Sequence, residues 1–189
     1  FSTAFIATVL FNTLLLQDLW GWSPLAAGFG VVAGPTLAAI LGGPIGSIAD
    51  KVGHRTLVTI GGISGTLSIS WLLLTVGNES NYLVSVLPAH LLLGIAVACS
   101  FATFSSMGLK LVSENRFASA SATLRTGSSI GFAAGVAIAV TIASATANRG
   151  QLESFRYAWA FMACTFFAGA FFSRIACPSR EELKQANLN

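Results

Sequence analysis

Six stretches of this chain are each long and apolar enough to cross a lipid bilayer, and this constrains every other feature of the fold. A spanning helix needs about 20 mostly apolar residues. The runs lie near Ser2–Leu19, Leu25–Ala49, Leu57–Val76, Tyr82–Leu109, Ala118–Ala145 and Phe155–Ile175. Polar and turn-forming sequences separate them: "WGWSP", "GNESN", "SENRF" and "NRGQLES". Only 9% of the residues are charged, against about 25% in a soluble domain. The mean hydropathy of +0.75 agrees. A β-barrel is excluded, because the runs are twice the length of a tilted spanning strand and do not alternate apolar with polar. The expected fold is an all-α membrane protein of six transmembrane helices. The bundle should occupy residues 1–177, with residues 178–189 a short polar tail.

The basic residues divide unequally between the two membrane faces. Successive connections must alternate across the bilayer, so Lys51, Arg55, Lys110, Arg116, Arg174, Arg180 and Lys184 fall on one side. Arg149 and Arg156 fall on the other. Basic loops stay in the cytoplasm, which puts the C-terminal tail inside and makes the first span run outward. Trp20, Trp22 and Tyr82 then sit at the outer interface, where amphipathic rings are enriched. The net charge of +3 is small and calls for no nucleic-acid partner. The chain starts at Phe1 with no basic segment before the first run, which argues against a signal peptide and for a piece of something longer.

The six spans differ in kind. The second carries Gly28, Gly30, Gly34, Gly42, Gly43 and Gly46 with Pro35 and Pro44, and the fifth carries Gly127, Gly131 and Gly135 at four-residue spacing. Glycine lets helix backbones approach where lipid supplies no hydrophobic drive, so both spans are expected to be packed against other helices. The sixth carries Phe161, Phe166, Phe167, Phe171 and Phe172 almost all round, as expected of a peripheral, lipid-facing helix. Thr8 and Asn12 lie one turn apart on the first span, and Cys99, Thr103 and Ser106 share a face of the fourth. Ordinary interhelical hydrogen bonding and the lining of a wet cavity are both open for these stripes. The alternation suggests two related triplets of opposite orientation, a transporter habit.

The densest knot of charge interrupts the apolar pattern at "GGPIGSIADKVGHRT", residues 42–56. Gly46, Asp50, Lys51, Gly53 and Arg55 spell G-x-x-x-D-[KR]-x-G-x-R between the second and third spans, on the basic side. Gly53 suits a very tight turn, Gly46 a close helix, Asp50 a helix N-terminus, and Lys51 and Arg55 carboxylates or anionic headgroups. This loop resembles the signature loop of the major facilitator superfamily. The segment 14–35, with Gln17, Gly21, Trp22, Ser23, Pro24, Ala27 and Gly28, is similar to the pattern Q-x-x-x-G-[WY]-S-P-x-x-A-G of fourteen-helix drug:proton antiporters of the EmrB/QacA type. Residues 120–140 resemble the small-residue penultimate helix of that group. An arginine often stands there three residues before the first glycine of the G-x-x-x-G-V-A ending, Gly131 here; Ser128 holds that place and Arg125 lies one turn earlier.

The resemblance implies the C-terminal six-helix half of such a transporter, a 3+3 inverted repeat in the plasma (inner) membrane. Its partners would be the lipid bilayer, the missing N-terminal helical half and a small-molecule substrate. It implies proton-coupled efflux of drug-like or amphipathic compounds by alternating access, and hence a role in multidrug and antibiotic resistance. An uptake or metabolite porter of the same superfamily is the alternative, and a non-transporting membrane scaffold or sensor is another of a different class. The signature loop would gate; Asn12, Gln17, Cys99, Thr103, Ser106 and Arg125 are candidate cavity-lining residues.

No cofactor is expected besides the proton, and no carboxylate lies deep in a span. Asp18 ends the first span, where a solvated acid and a proton site are both readings. His90 follows Pro88 in the fourth; it could switch protonation near neutral pH or simply pack. Cys99, Cys164 and Cys177 have no metal-ligand spacing. No nucleophile–base pair or phosphate loop supports an enzyme. The side assignment predicts that a Lys51→Cys variant in intact cells reacts with a membrane-impermeant maleimide only after the membrane is permeabilised.

Overall fold

The structure is a computed structural model. It describes residues 1–110 and 116–176, without the side chains of 50, 102, 105–110 and 176. The chain forms α1 (Ser2–Leu14), α2 (Pro24–Val31), α3 (Ala33–Val52), α4 (His54–Thr75), α5 (Leu87–Lys110), α6 (Phe117–Ala145) and α7 (Gln151–Ala176). Wider π-type turns extend α1 through Leu15–Leu19 and precede α5 at Tyr82–Val86. Helices α2 and α3 together make the second of six spans long and apolar enough to cross a membrane. There are no strands among the described residues.

The packing follows an internal exchange. The second span packs on the fourth and the fifth on the first; the third packs on the fourth and the sixth on the first. Exchanging spans one with four, two with five and three with six maps these pairings onto themselves. Each triplet holds three crossings, so the second runs opposite to the first. The third and sixth spans, α4 and α7, pair along the axis of this exchange.

Helix α4 holds the centre, and small residues let it do so. A Cβ on Gly61 would run into Ser100 Oγ of α5 and come within 3.0 Å of the Ala96 carbonyl. One on Gly62 would lie 2.6 to 2.9 Å from Ala170 of α7, and one on Gly65 2.6 Å from the Phe166 ring. The hydroxyls bridge the same helices. Ser68 Oγ donates to the Ala89 carbonyl at 2.7 Å, and Thr59 and Ser173 hydroxyls lie 3.2 Å apart. Deprived of a hydrophobic drive, helices in lipid hold by such close contact and by polar links.

Two expectations are corrected, and a third, that the second and fifth spans pack on other helices, is met on part of their surface. The sixth span is not phenylalanine-faced to lipid all round: Trp159, Met162 and Phe166 are fully buried, while Phe167, Phe171 and Phe172 are exposed. Phe166 turns inward because Gly65 leaves it room. The second and fifth spans are the least enclosed within this chain. Gly28, Gly42, Gly43, Gly46 and Gly127 have no neighbour where a Cβ would stand, and Phe29, Ile40 and Ile130 are exposed. Only part of each small-residue face is used. Gly34 crosses Gly94 and His90 of α5, Gly131 lies against Ser2 and Thr3, and Gly135 abuts the Thr3 carbonyl. Finally, Asn12 lines no open surface. It is wholly enclosed, and neither amide atom has a hydrogen-bond partner.

A bundle centred on α4 predicts unequal glycine replacements. Gly62→Ala pushes against the backbone of α7 and should cost about 1–3 kcal/mol. Gly42→Ala meets open space and should stay within about 0.5 kcal/mol of the parent. Thermal unfolding of both variants in one detergent checks the difference.

Candidate functional site

One residue builds the turn at the basic end. Helix α3 ends at Val52 and α4 begins at His54, so Gly53 alone joins them, at φ 96° and ψ 139°. A side chain is disfavoured at that φ, since its Cβ meets the backbone. The Gly53 amide donates to the Ala49 carbonyl at 3.0 Å, and the Gly53 carbonyl accepts from the Leu57 amide at 3.4 Å. Gly53 and His54 are buried, Arg55 is half-buried and Lys51 is exposed. Gly46 lies on the exposed side of α3, and no helix of this chain makes the close approach it permits. The Asp50 side chain lies outside the described residues, as do the Ser106 side chain, Cys177, Arg180, Lys184 and the tail.

A cavity of about 520 Å³ opens at the same end, between α1, α5 and α6. Phe1, Phe101, Phe104 and Phe132 supply apolar walls; Ser2, Ser121, Ser128, Ser129 and Arg125 supply polar ones. Phe1 meets Phe101 and Phe104 edge-on, with centroids 5.9 and 6.4 Å apart. Arg125 is exposed, about two turns inside α6. A guanidinium in such a setting offers five donors in a planar fork and stacks on rings.

The residues expected beside Arg125 lie elsewhere. Cys99 and Thr103 are 4% and 1% exposed. Cys99 packs with Ile45, Ala49 and Leu57, its Cβ against Gly61. They face helices, because the glycines of α4 draw that side of α5 inward. Gln17 is half-buried on the π-type turn at the opposite end. Neighbouring Asp18 is exposed and lines a cavity of about 360 Å³ between α1, α6 and α7 with Ser144, Gln151 and Ser154.

That opposite end is closed by rings. Trp20 Nε1 donates to the Gly77 carbonyl at 3.1 Å, Trp22 Nε1 to Ser80 Oγ at 3.2 Å, and the Tyr82 hydroxyl to the Gly30 carbonyl at 2.7 Å. Trp22 packs on Tyr82 with centroids 5.4 Å apart. Arg149 stacks over Tyr157 at 5.2 Å, and Arg156 pairs with Glu153 at 3.0 Å. Ring donors thus clamp the loop between α4 and α5 to the end of α1.

Against this geometry stands a chain-long match. A family model described as Major Facilitator Superfamily covers residues 1–188. The chain belongs to the major facilitator superfamily. It is a transporter of that superfamily and a multi-pass membrane protein, and the family is not an enzyme class. No curated protein matches the chain. The glycines of α4, central to the packing of this facilitator protein, lie outside the sequence motifs named above. Their signal was present as "GGISG", residues 61–65, inside an apolar run.

The Gly53 turn carries a direct prediction. Gly53→Ala should destabilise the protein by about 1–2 kcal/mol through the positive φ alone, and the thermal midpoint reads it.

Proposed function

We propose that the chain is the C-terminal half of a proton-coupled exporter of drug-like or amphipathic compounds, working by alternating access in the plasma membrane with its C-terminus in the cytoplasm. The cavity of Arg125 is the observation that carries this reading. Four phenylalanines and four serines around one guanidinium suit a molecule with an aromatic body and a polar group. The exposed small-residue faces of α3 and α6 support a second helical half as the partner that covers them. The turn at Gly53, with Asp50, Lys51 and Arg55, would brace that half at the inner face and release it as the transporter changes state. Gly46 would then meet the other half, and so would Gly28 and Gly127. The resemblance to fourteen-helix antiporters supports both the export direction and the proton as coupling ion.

Arg125 also favours a second reading, a porter for organic anions among metabolites. A fixed cation in a low-dielectric cavity attracts a carboxylate and repels an ammonium. Inside-out vesicles holding the full-length protein separate the two. With the lumen acidified, a neutral aromatic dye should accumulate, and Arg125→Ala should lower its rate about tenfold. Dye flux indifferent to the pH gradient would refute the antiport. Gradient-dependent movement of benzoate but not of dye would install the anion porter instead, and no flux of either would leave a scaffold or sensor.

A further inference from the structure

A third cavity lies between α1, α3 and α5, and among its lining residues His90 alone has a polar side chain. Its volume is about 230 Å³, and its walls include Phe5 and Val9 of α1, Pro35 and Ala38 of α3, and Leu93 of α5. His90 of α5 also lines it, although the residue is only 2% exposed. The imidazole makes one hydrogen bond, Nδ1 to the Val86 carbonyl at 2.9 Å, one turn back on its own helix. A carbonyl can only accept, so Nδ1 carries the proton and Nε2 is left as a lone-pair acceptor. Ring atom Cδ2 would stand 3.8 Å from a Cβ on Gly34. No other residue described here bonds Nε2.

Two features of α3 make the room. A Cβ on Gly34 would come within 3.0 Å of the His90 carbonyl, so only glycine lets α3 lie this close to α5. Pro35 has no N–H for the Val31 carbonyl, and the helix is interrupted at Val32, between α2 and α3. Interrupted helices at membrane depth are tolerated where they line a cavity. An apolar cavity of about 150 Å³ accepts benzene; the present one has space for one or two fused rings. Among the described residues its walls hold no carboxylate, ammonium or guanidinium, which disfavours an ionic guest. An acceptor on a cavity-lining ring that takes no donor from the described residues calls for a guest that brings one.

We propose that this cavity binds a small neutral aromatic molecule through one N–H or O–H donated to His90 Nε2, as a subsite separate from the cavity of Arg125. Indole and benzothiophene are the probes, alike in shape but differing in the N–H. Equilibrium dialysis of the full-length protein in nanodiscs, against empty nanodiscs at one pH, needs no transport. The binding result therefore stands or falls apart from the efflux reading. Indole should bind about tenfold more tightly than benzothiophene. His90→Leu should erase the preference while both still bind, and His90→Gln, which keeps an acceptor, should restore it. Val9→Phe should fill the cavity and weaken both probes. Equal affinities in the parent protein, or a preference that survives His90→Leu, would overturn the proposal. Should His90→Leu fail to fold, undiminished indole binding in Val9→Phe would overturn it as well.

Discussion

The structure depends on backbone-close contact along one helix. Lipid tails solvate leucine as well as a neighbouring helix does, so burial of apolar surface cannot by itself choose which helices meet. In this chain Gly61, Gly62 and Gly65 make the choice. They let α5 and α7 approach α4 from two sides, and hydroxyl links from Ser68 and Thr59 hold the register. The exchange of triplets then follows, since the first span occupies towards α6 and α7 the place that the fourth occupies towards α3 and α4. With α4 central, one side of α5 is committed to packing. That is why Cys99 and Thr103 are buried rather than facing an open cavity.

The two ends of the bundle are built on different principles. At one end a single glycine in a left-handed conformation joins α3 to α4, with Lys51 exposed beside it. At the other, indole and phenol donors tie loop to helix through backbone carbonyls at Gly77 and Gly30. The first device leaves Lys51 exposed and Arg55 half-buried at the bundle's end. The second spends its polar groups internally. Among the described residues Lys51, Arg55, Arg116 and Arg174 stand at the Gly53 end, and Arg149 and Arg156 at the ring end.

Much of the fold was legible because hydrocarbon thickness is a ruler. Six runs of the right length define six spans, and their limits agree with the helices to within a few residues; the first span ends at Leu19 as expected. The turn at Gly53 was legible too, as the glycine in the charged stretch between two apolar runs, although the structure narrows the joint to that one residue. The site was less so. Arg125 was marked because charge is rare in a span, and it does line a cavity. Asn12 was marked for polarity and proved to be enclosed, because polarity alone does not tell which face of a helix a neighbour covers. Phe166 and Phe172 are the same residue on the same helix, yet one is fully buried and the other exposed.

Chain order and composition by themselves determined the solvent, the number of crossings, the division of charge between two faces and the place of the tight turn. Each follows from a local cost: an apolar run in water, a charge in hydrocarbon, a Cβ at positive φ. Only the tertiary structure decided that α4 is central, that α3 and α6 leave glycine faces uncovered, and that His90 meets Gly34 at the wall of a cavity. These depend on which backbones can approach, a property of pairs of helices far apart in the chain, and hydropathy is blind to it.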